Sequence, residues 1–110
     1  MQIELFYFDG CPNHEIALQV LTDALDSLDV QAEVSRVRVA DDKDAVAKRF
    51  LGSPSIRIDG RDLEIKEEAE SGYSMRCRRY RDGDRIVGYP PKELVLSALR
   101  RAFPRQENSR

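Results

Sequence analysis

Residues 3–14 read Ile-Glu-Leu-Phe-Tyr-Phe-Asp-Gly-Cys-Pro-Asn-His. The first six are mostly apolar and rich in β-formers, as expected of a strand buried in a sheet. Asp9-Gly10 breaks the run, and Cys11-Pro12 opens a helical pattern. Pro12 suits the first helical position, where its missing N–H would have no partner anyway. Ala17, Leu18, Leu21, Ala24, Leu25 and Leu28 fall on one helical stripe. Ile16 and Val20 widen it, so a well-buried helix is expected. A cysteine at such a strand-to-helix junction faces unpaired backbone N–H groups and the positive end of the helix, and both favour a thiolate. His14 comes three residues later, near the same helix end. Protonated, it would favour the thiolate further; neutral, it could shuttle a proton. Cys11 is therefore expected to be the more reactive thiol.

Downstream, residues 30–39 form a second strand. Val30, Ala32 and Val34 alternate, and then Val37 and Val39 take the opposite phase. A bulge, a twist or burial on both faces would produce that pattern. Asp41-Asp42 can cap a short helix whose apolar side includes Ala45, Val46 and Phe50, with Leu51-Gly52 ending it. Ser53-Pro54 leads into a strand, Ser55 to Ile58. Asp59-Gly60 signals a hairpin, with Arg61 to Ile65 returning as an edge strand.

Residues 66–85 form an extra irregular segment. It is first acidic (Glu67, Glu68, Glu70) and then basic (Arg76, Arg78, Arg79, Arg81, Arg85). Asp82-Gly83 can turn a second hairpin between Arg78–Arg81 and Arg85–Val87. Pro90-Pro91 starts the last helix. Val95, Ala98, Leu99 and Ala102 recur at helical spacing, supported by Leu94 and Phe103, and Pro104 stops it. The order strand, helix, strand, helix, hairpin, helix predicts one α/β domain over residues 1–104. It would have a central mixed sheet of about four strands flanked by helices, and a frayed tail over 105–110.

The chain has 110 residues, enough for one core. Its 18 Lys and Arg against 20 Asp and Glu give a net charge of −2, which argues against broad nucleic-acid or membrane binding. No apolar run approaches the roughly 20 residues of a membrane helix, and no leader pattern is visible. A cytoplasmic location is the expectation. Two cysteines, Cys11 and Cys77, are too few for a disulfide scaffold or for a four-ligand zinc site. No cofactor is implied.

This layout resembles the thioredoxin superfamily, whose members place Cys-x-x-Cys, or a reduced version of it, after the first strand of the core sheet. The nearest resemblance is to a branch of small bacterial thioredoxin-like proteins, some of which carry selenocysteine at the position of Cys11. Here Cys-Pro-Asn-His stands in place of Cys-x-x-Cys, with His14 where the second cysteine would be. The family also has a cis-proline loop facing the active cysteine, and Ser53-Pro54-Ser55 matches it. The resemblance implies that Pro54 is cis and that it presents the Ser53 backbone to an extended substrate beside Cys11.

Three functions are compatible with these residues. In the first, the chain is a thiol-disulfide oxidoreductase-like protein. Cys11 is the nucleophile toward a disulfide or other soft electrophile, His14 tunes or protonates it, and Pro12, Ser53 and Pro54 position the substrate. The partner would be a thiol or disulfide, such as glutathione or a partner protein. In the second, Cys11 and Cys77 hold or deliver a soft metal ion with help from His14. In the third, the chain is a non-catalytic thioredoxin-like interaction module. Two roles fit Cys77. It resolves a sulfenic acid or mixed disulfide on Cys11, or it is a buried thiol on the Met75 side of a strand. The arginine run reads either as an anion site or as a solvated face paired with local acids.

Overall fold

In the computed structural model, residues 2–64 and 73–102 are described. Ile65, Glu67, Glu68, Glu70, Phe103, Pro104 and the 105–110 tail lie outside them. The protein is mixed α/β, organised around β1 (Ile3–Tyr7). β2 (Val34–Arg38) pairs with β1 in parallel, because α1 (Asn13–Ser27) carries the chain back to the starting edge. β3 (Ser55–Ile58) lies antiparallel on the other side of β1, and β4 (Arg61–Asp62) pairs antiparallel with β3. The order is β2-β1-β3-β4, so β4 is an edge, as its charged residues suggest. The turn before it has Asp59 at φ 52° and Gly60 at φ 85°, the two positive values of the tightest hairpin type. Two more helices, α2 (Asp42–Lys48) and α3 (Lys92–Ala102), and a separate ribbon of β5 (Tyr80–Asp82) and β6 (Arg85–Val87) complete the chain.

The sheet buries both faces. On one, Ile3, Leu5, Ile56 and Ile58 meet Ala17, Leu21, Ala24 and Leu25 of α1 and Val95, Leu96, Ala98 and Leu99 of α3. On the other, Phe6 meets Val39, Ala45 and Phe50, with Phe8, Val37 and Met75 at the margin. This explains the phase change in residues 30–39. Val30, Ala32 and Val34 join the first core, whereas Val37 and Val39 join the second. The β1–β2 register is continuous from Ile3↔Val34 to Tyr7↔Arg38, so burial on two faces, and not a bulge, is the cause. The regular strand begins only at Val34.

Several boundaries differ from the sequence reading. α1 starts one residue later than expected, with Pro12 as its cap residue in helical geometry (φ −73°, ψ −17°). Ile16 does not widen the buried stripe: it is 43% exposed, on the outer side of a helix covered on one face only. In α2, Asp41 caps as expected, its carboxylate accepting from Asp44 N–H at 2.8 Å. Asp44 reaches back to accept from Ala40 N–H, a reciprocal arrangement like a capping box. The helix ends earlier than Leu51-Gly52, at Arg49, which adopts φ 55°. Arg57 crosses beneath and donates to the carbonyls of Lys48 and Arg49, with its guanidinium 4.1 Å above the Phe6 ring. Val46 is exposed, because α2 is too short to turn more than Ala45 fully inward. In α3, Leu96 is buried and Ala102 exposed, the reverse of the predicted stripe at those positions. The β5–β6 turn falls on Gly83-Asp84, since Asp82 pairs with Arg85.

Candidate functional site

Cys11 follows the end of β1 and precedes α1. Gly10, at φ 90°, turns the chain, and Cys11 N–H donates to Phe8 O at 3.3 Å. The thiol is 2% exposed, and its Sγ donates to Ser53 O across 3.8 Å. The Ser53–Pro54 peptide bond is cis. Cys11, Ser53 and Pro54 are therefore brought together. Ser53, Pro54 and Ser55 are all buried, and the Ser55 hydroxyl donates to Gly52 O. Ser53 Oγ is buried with no hydrogen-bond partner.

The backbone of Ser53 is paired by the chain itself. Ser53 N–H donates to Arg76 O and Arg78 N–H donates to Ser53 O, both at 2.9 Å. These bonds make an isolated parallel bridge between Ser53 and Cys77. Cys77 is thus neither buried nor remote: its thiol is exposed, and its backbone lies alongside the residue that accepts from Cys11. The Ser53 backbone groups that the resemblance assigns to a substrate are paired here with residues 76 and 78. Cys11, expected to be the more reactive thiol, is the covered one of the two.

His14 stands in the first turn of α1, near the helix start. Its ring stacks on Tyr7, with centroids 4.5 Å apart and an interplanar angle of 21°. Nδ1 is buried without a hydrogen-bond partner, and Glu15 Oε2 lies 3.9 Å away, an ion pair when the ring is protonated. Among the described residues His14 makes no hydrogen bond to Cys11. Nor do three His, Cys, Asp or Glu side chains converge as a metal-binding group among them, so Cys11, Cys77 and His14 are not a three-ligand set.

Sequence reasoning missed the residues that seat the 76–78 strand. Arg78 belongs neither to a solvated arginine face nor to an open anion site. Its side chain is 5% exposed and forks onto Asp62 (2.6 and 2.7 Å), with a further bond to Glu64 at 3.0 Å. Its guanidinium lies 4.8 Å from the Tyr80 ring centroid. Burial works to lower the Arg78 pKa, but the hydrogen bonds and charge interactions from Asp62, Glu64 and Tyr80 together hold it above its ordinary value. Tyr80 is buried and donates to Pro54 O at 2.6 Å; burial raises its phenol well above the usual value. Gly52 leaves room for the strand, since a Cβ there would meet Arg78 Cβ at 2.9 Å. The available signal was the alternation over 78–81, where Arg78 and Tyr80 point inward and Arg79 and Arg81 outward.

A surface depression of about 160 Å³, lined by Ile58, Arg61, Asp62, Ala98, Arg101 and Ala102, includes none of the predicted site residues. No described helix is long and apolar enough to cross a membrane. No protein-family model, curated protein or solved structure matches the chain.

Proposed function

We propose that this chain is a thioredoxin-like thiol redox protein in which Cys11 is the nucleophile and Cys77 the resolving thiol. The observation that carries the reading is the position of Ser53. Its carbonyl accepts from Cys11 Sγ, and its backbone bridges Cys77. The order β2-β1-β3-β4, a thiol between β1 and α1, and a cis-proline just before β3 support the thioredoxin-like reading of the fold.

The reaction balances without a cofactor. Cys11, as thiolate, attacks one sulfur of a substrate disulfide and displaces the other as a thiolate, leaving a mixed disulfide. Cys77, as thiolate, attacks the Cys11 sulfur and releases the second half of the substrate. Two electrons and two protons pass to the substrate, and two equivalents of an external thiol such as glutathione, themselves joined as a disulfide, return the Cys11–Cys77 disulfide to two thiols. His14, near the start of α1 and with Nδ1 free of a hydrogen bond, is the group to carry a proton in the exchange. The substrate is a small-molecule or protein disulfide.

Peptide mapping after equilibration in a glutathione redox buffer tests this. A Cys11–Cys77 disulfide is expected. Finding only Cys11–glutathione adducts would remove Cys77 from the mechanism and leave a monothiol reaction. Finding no modification of Cys11, under conditions that oxidise a free peptide cysteine, would favour a non-catalytic interaction module.

A further inference from the structure

We infer that residues 75–80 are an internal strap that closes Cys11, so that reaction with any external partner requires the strap to open while the rest of the fold stays intact. The inference rests on the redox reading of Cys11 and adds a control to it. The strap is tied down at four points. Met75 N–H donates to Asp42 Oδ1 at 2.9 Å, at the start of α2. Residues 76 and 78 satisfy both backbone groups of Ser53. Arg78 is clamped by Asp62 and Glu64. Tyr80 holds the Pro54 carbonyl.

The ties reach the start of α2, the Ser53–Pro54 turn and the carboxylates of Asp62 and Glu64, and Cys11, bonded to Ser53 O, is 2% exposed. The backbone edge of Ser53, which would pair an incoming extended chain, has no free donor or acceptor while the strap is seated. Gly52 accommodates the Arg78 backbone and Cβ at distances no other residue would allow. The strap also brings its own thiol, Cys77, to Ser53. The strap's own thiol thus stands beside Ser53, whereas an external disulfide must first displace the strap. Strap opening is a local equilibrium of the kind that amide exchange reads residue by residue.

The test uses the full chain with Cys77→Ser, so that only Cys11 reports. Its alkylation by iodoacetamide is compared with that of an unfolded peptide, giving a protection factor. Hydrogen exchange of the Ser53 and Arg78 amides, whose hydrogen bonds are the strap's own, gives a second. The two are expected to agree within about threefold, and both to fall well below the protection of the β1 amides. Arg78→Ala, checked as folded by near-ultraviolet circular dichroism, is expected to speed Cys11 alkylation by about tenfold or more. Cys11 reacting far faster than the Ser53 and Arg78 amides exchange overturns the strap, as does Cys11 protection equal to that of β1. An unchanged Cys11 rate in a folded Arg78→Ala protein overturns it too. If that variant does not fold, the exchange comparison decides. Disulfide mapping of the unaltered chain is independent, so the strap can fail while the redox reading stands.

Discussion

Ser53 and Cys77 are joined by a parallel bridge across 24 positions of sequence, and the same Ser53 carbonyl accepts a hydrogen bond from Cys11 Sγ. The bridge sets the two thiols in different environments: Cys11 is enclosed and Cys77 faces solvent. Exposure governs attack by a reagent as much as thiolate character does. In the reduced native protein, Cys77 should be alkylated before Cys11. Time-resolved labelling with mass spectrometry checks the order, which should equalise or invert in denaturant. Labelling of Cys11 first in the native state would contradict the burial described above.

The first core depends on α1. Leu21 and Leu25 are buried against both the sheet and α3, so truncating either to Ala should destabilise the domain by about 2–5 kcal/mol. Ile16 and Val46 are exposed, and a serine at either position should change stability by about 0.5 kcal/mol or less. Chemical denaturation of the four variants separates the two groups.

Tyr80 should make the fold sensitive to alkali. Its phenol is buried and its pKa raised above the unfolded value, so the folded chain keeps a proton that the unfolded chain loses. Its contribution is whole below about pH 10 and declines as pH rises further through the folded value. Ultraviolet titration should show a late step, with Tyr80 ionising above the ordinary tyrosine value. Tyr80→Phe should remove that late step. It should also cost about 1–2 kcal/mol at neutral pH, by leaving the Pro54 carbonyl without its donor.

Two glycines should respond differently to alanine. Gly60, at φ 85°, has open space where a Cβ would go, so Gly60→Ala should cost about 1–2 kcal/mol from backbone strain alone. At Gly52, φ is 122° and the added Cβ meets Arg78, so the loss should reach about 2–4 kcal/mol. Gly52→Ala should also increase Cys11 labelling, whereas Gly60→Ala should not. Equal labelling of Cys11 in the two variants would show that Gly52 does not seat the strap.

Much of the architecture was legible locally. The apolar run of residues 3–8, the Asp9-Gly10 break, the α1 stripe, the Asp41 cap and the Asp59-Gly60 turn are short-range signals. Each is set by backbone geometry or by the period of the apolar residues. They placed Cys11 between the first strand and the first helix, and they ordered the main elements. Where the period was ambiguous, at Val34 to Val39, the residues could not reveal that two cores lay on opposite faces.

The 75–80 segment shows what only tertiary structure decided. Its charge run resembles a solvent-facing stretch, and the only local hint that Arg78 is buried is its two-residue spacing from Tyr80. What buries it is a pair of carboxylates on and beside β4 and a gap beside Gly52, reached only after the chain has folded back. A guanidinium loses its hydration favourably only when such partners are already in place, and sequence separation conceals them. The sequence by itself therefore determined the strand-to-helix setting of Cys11 and the pattern of the sheet. The burial of that thiol, the pairing of Ser53 and the placement of Cys77 beside it depend on long-range contacts, which no periodicity within a single element encodes.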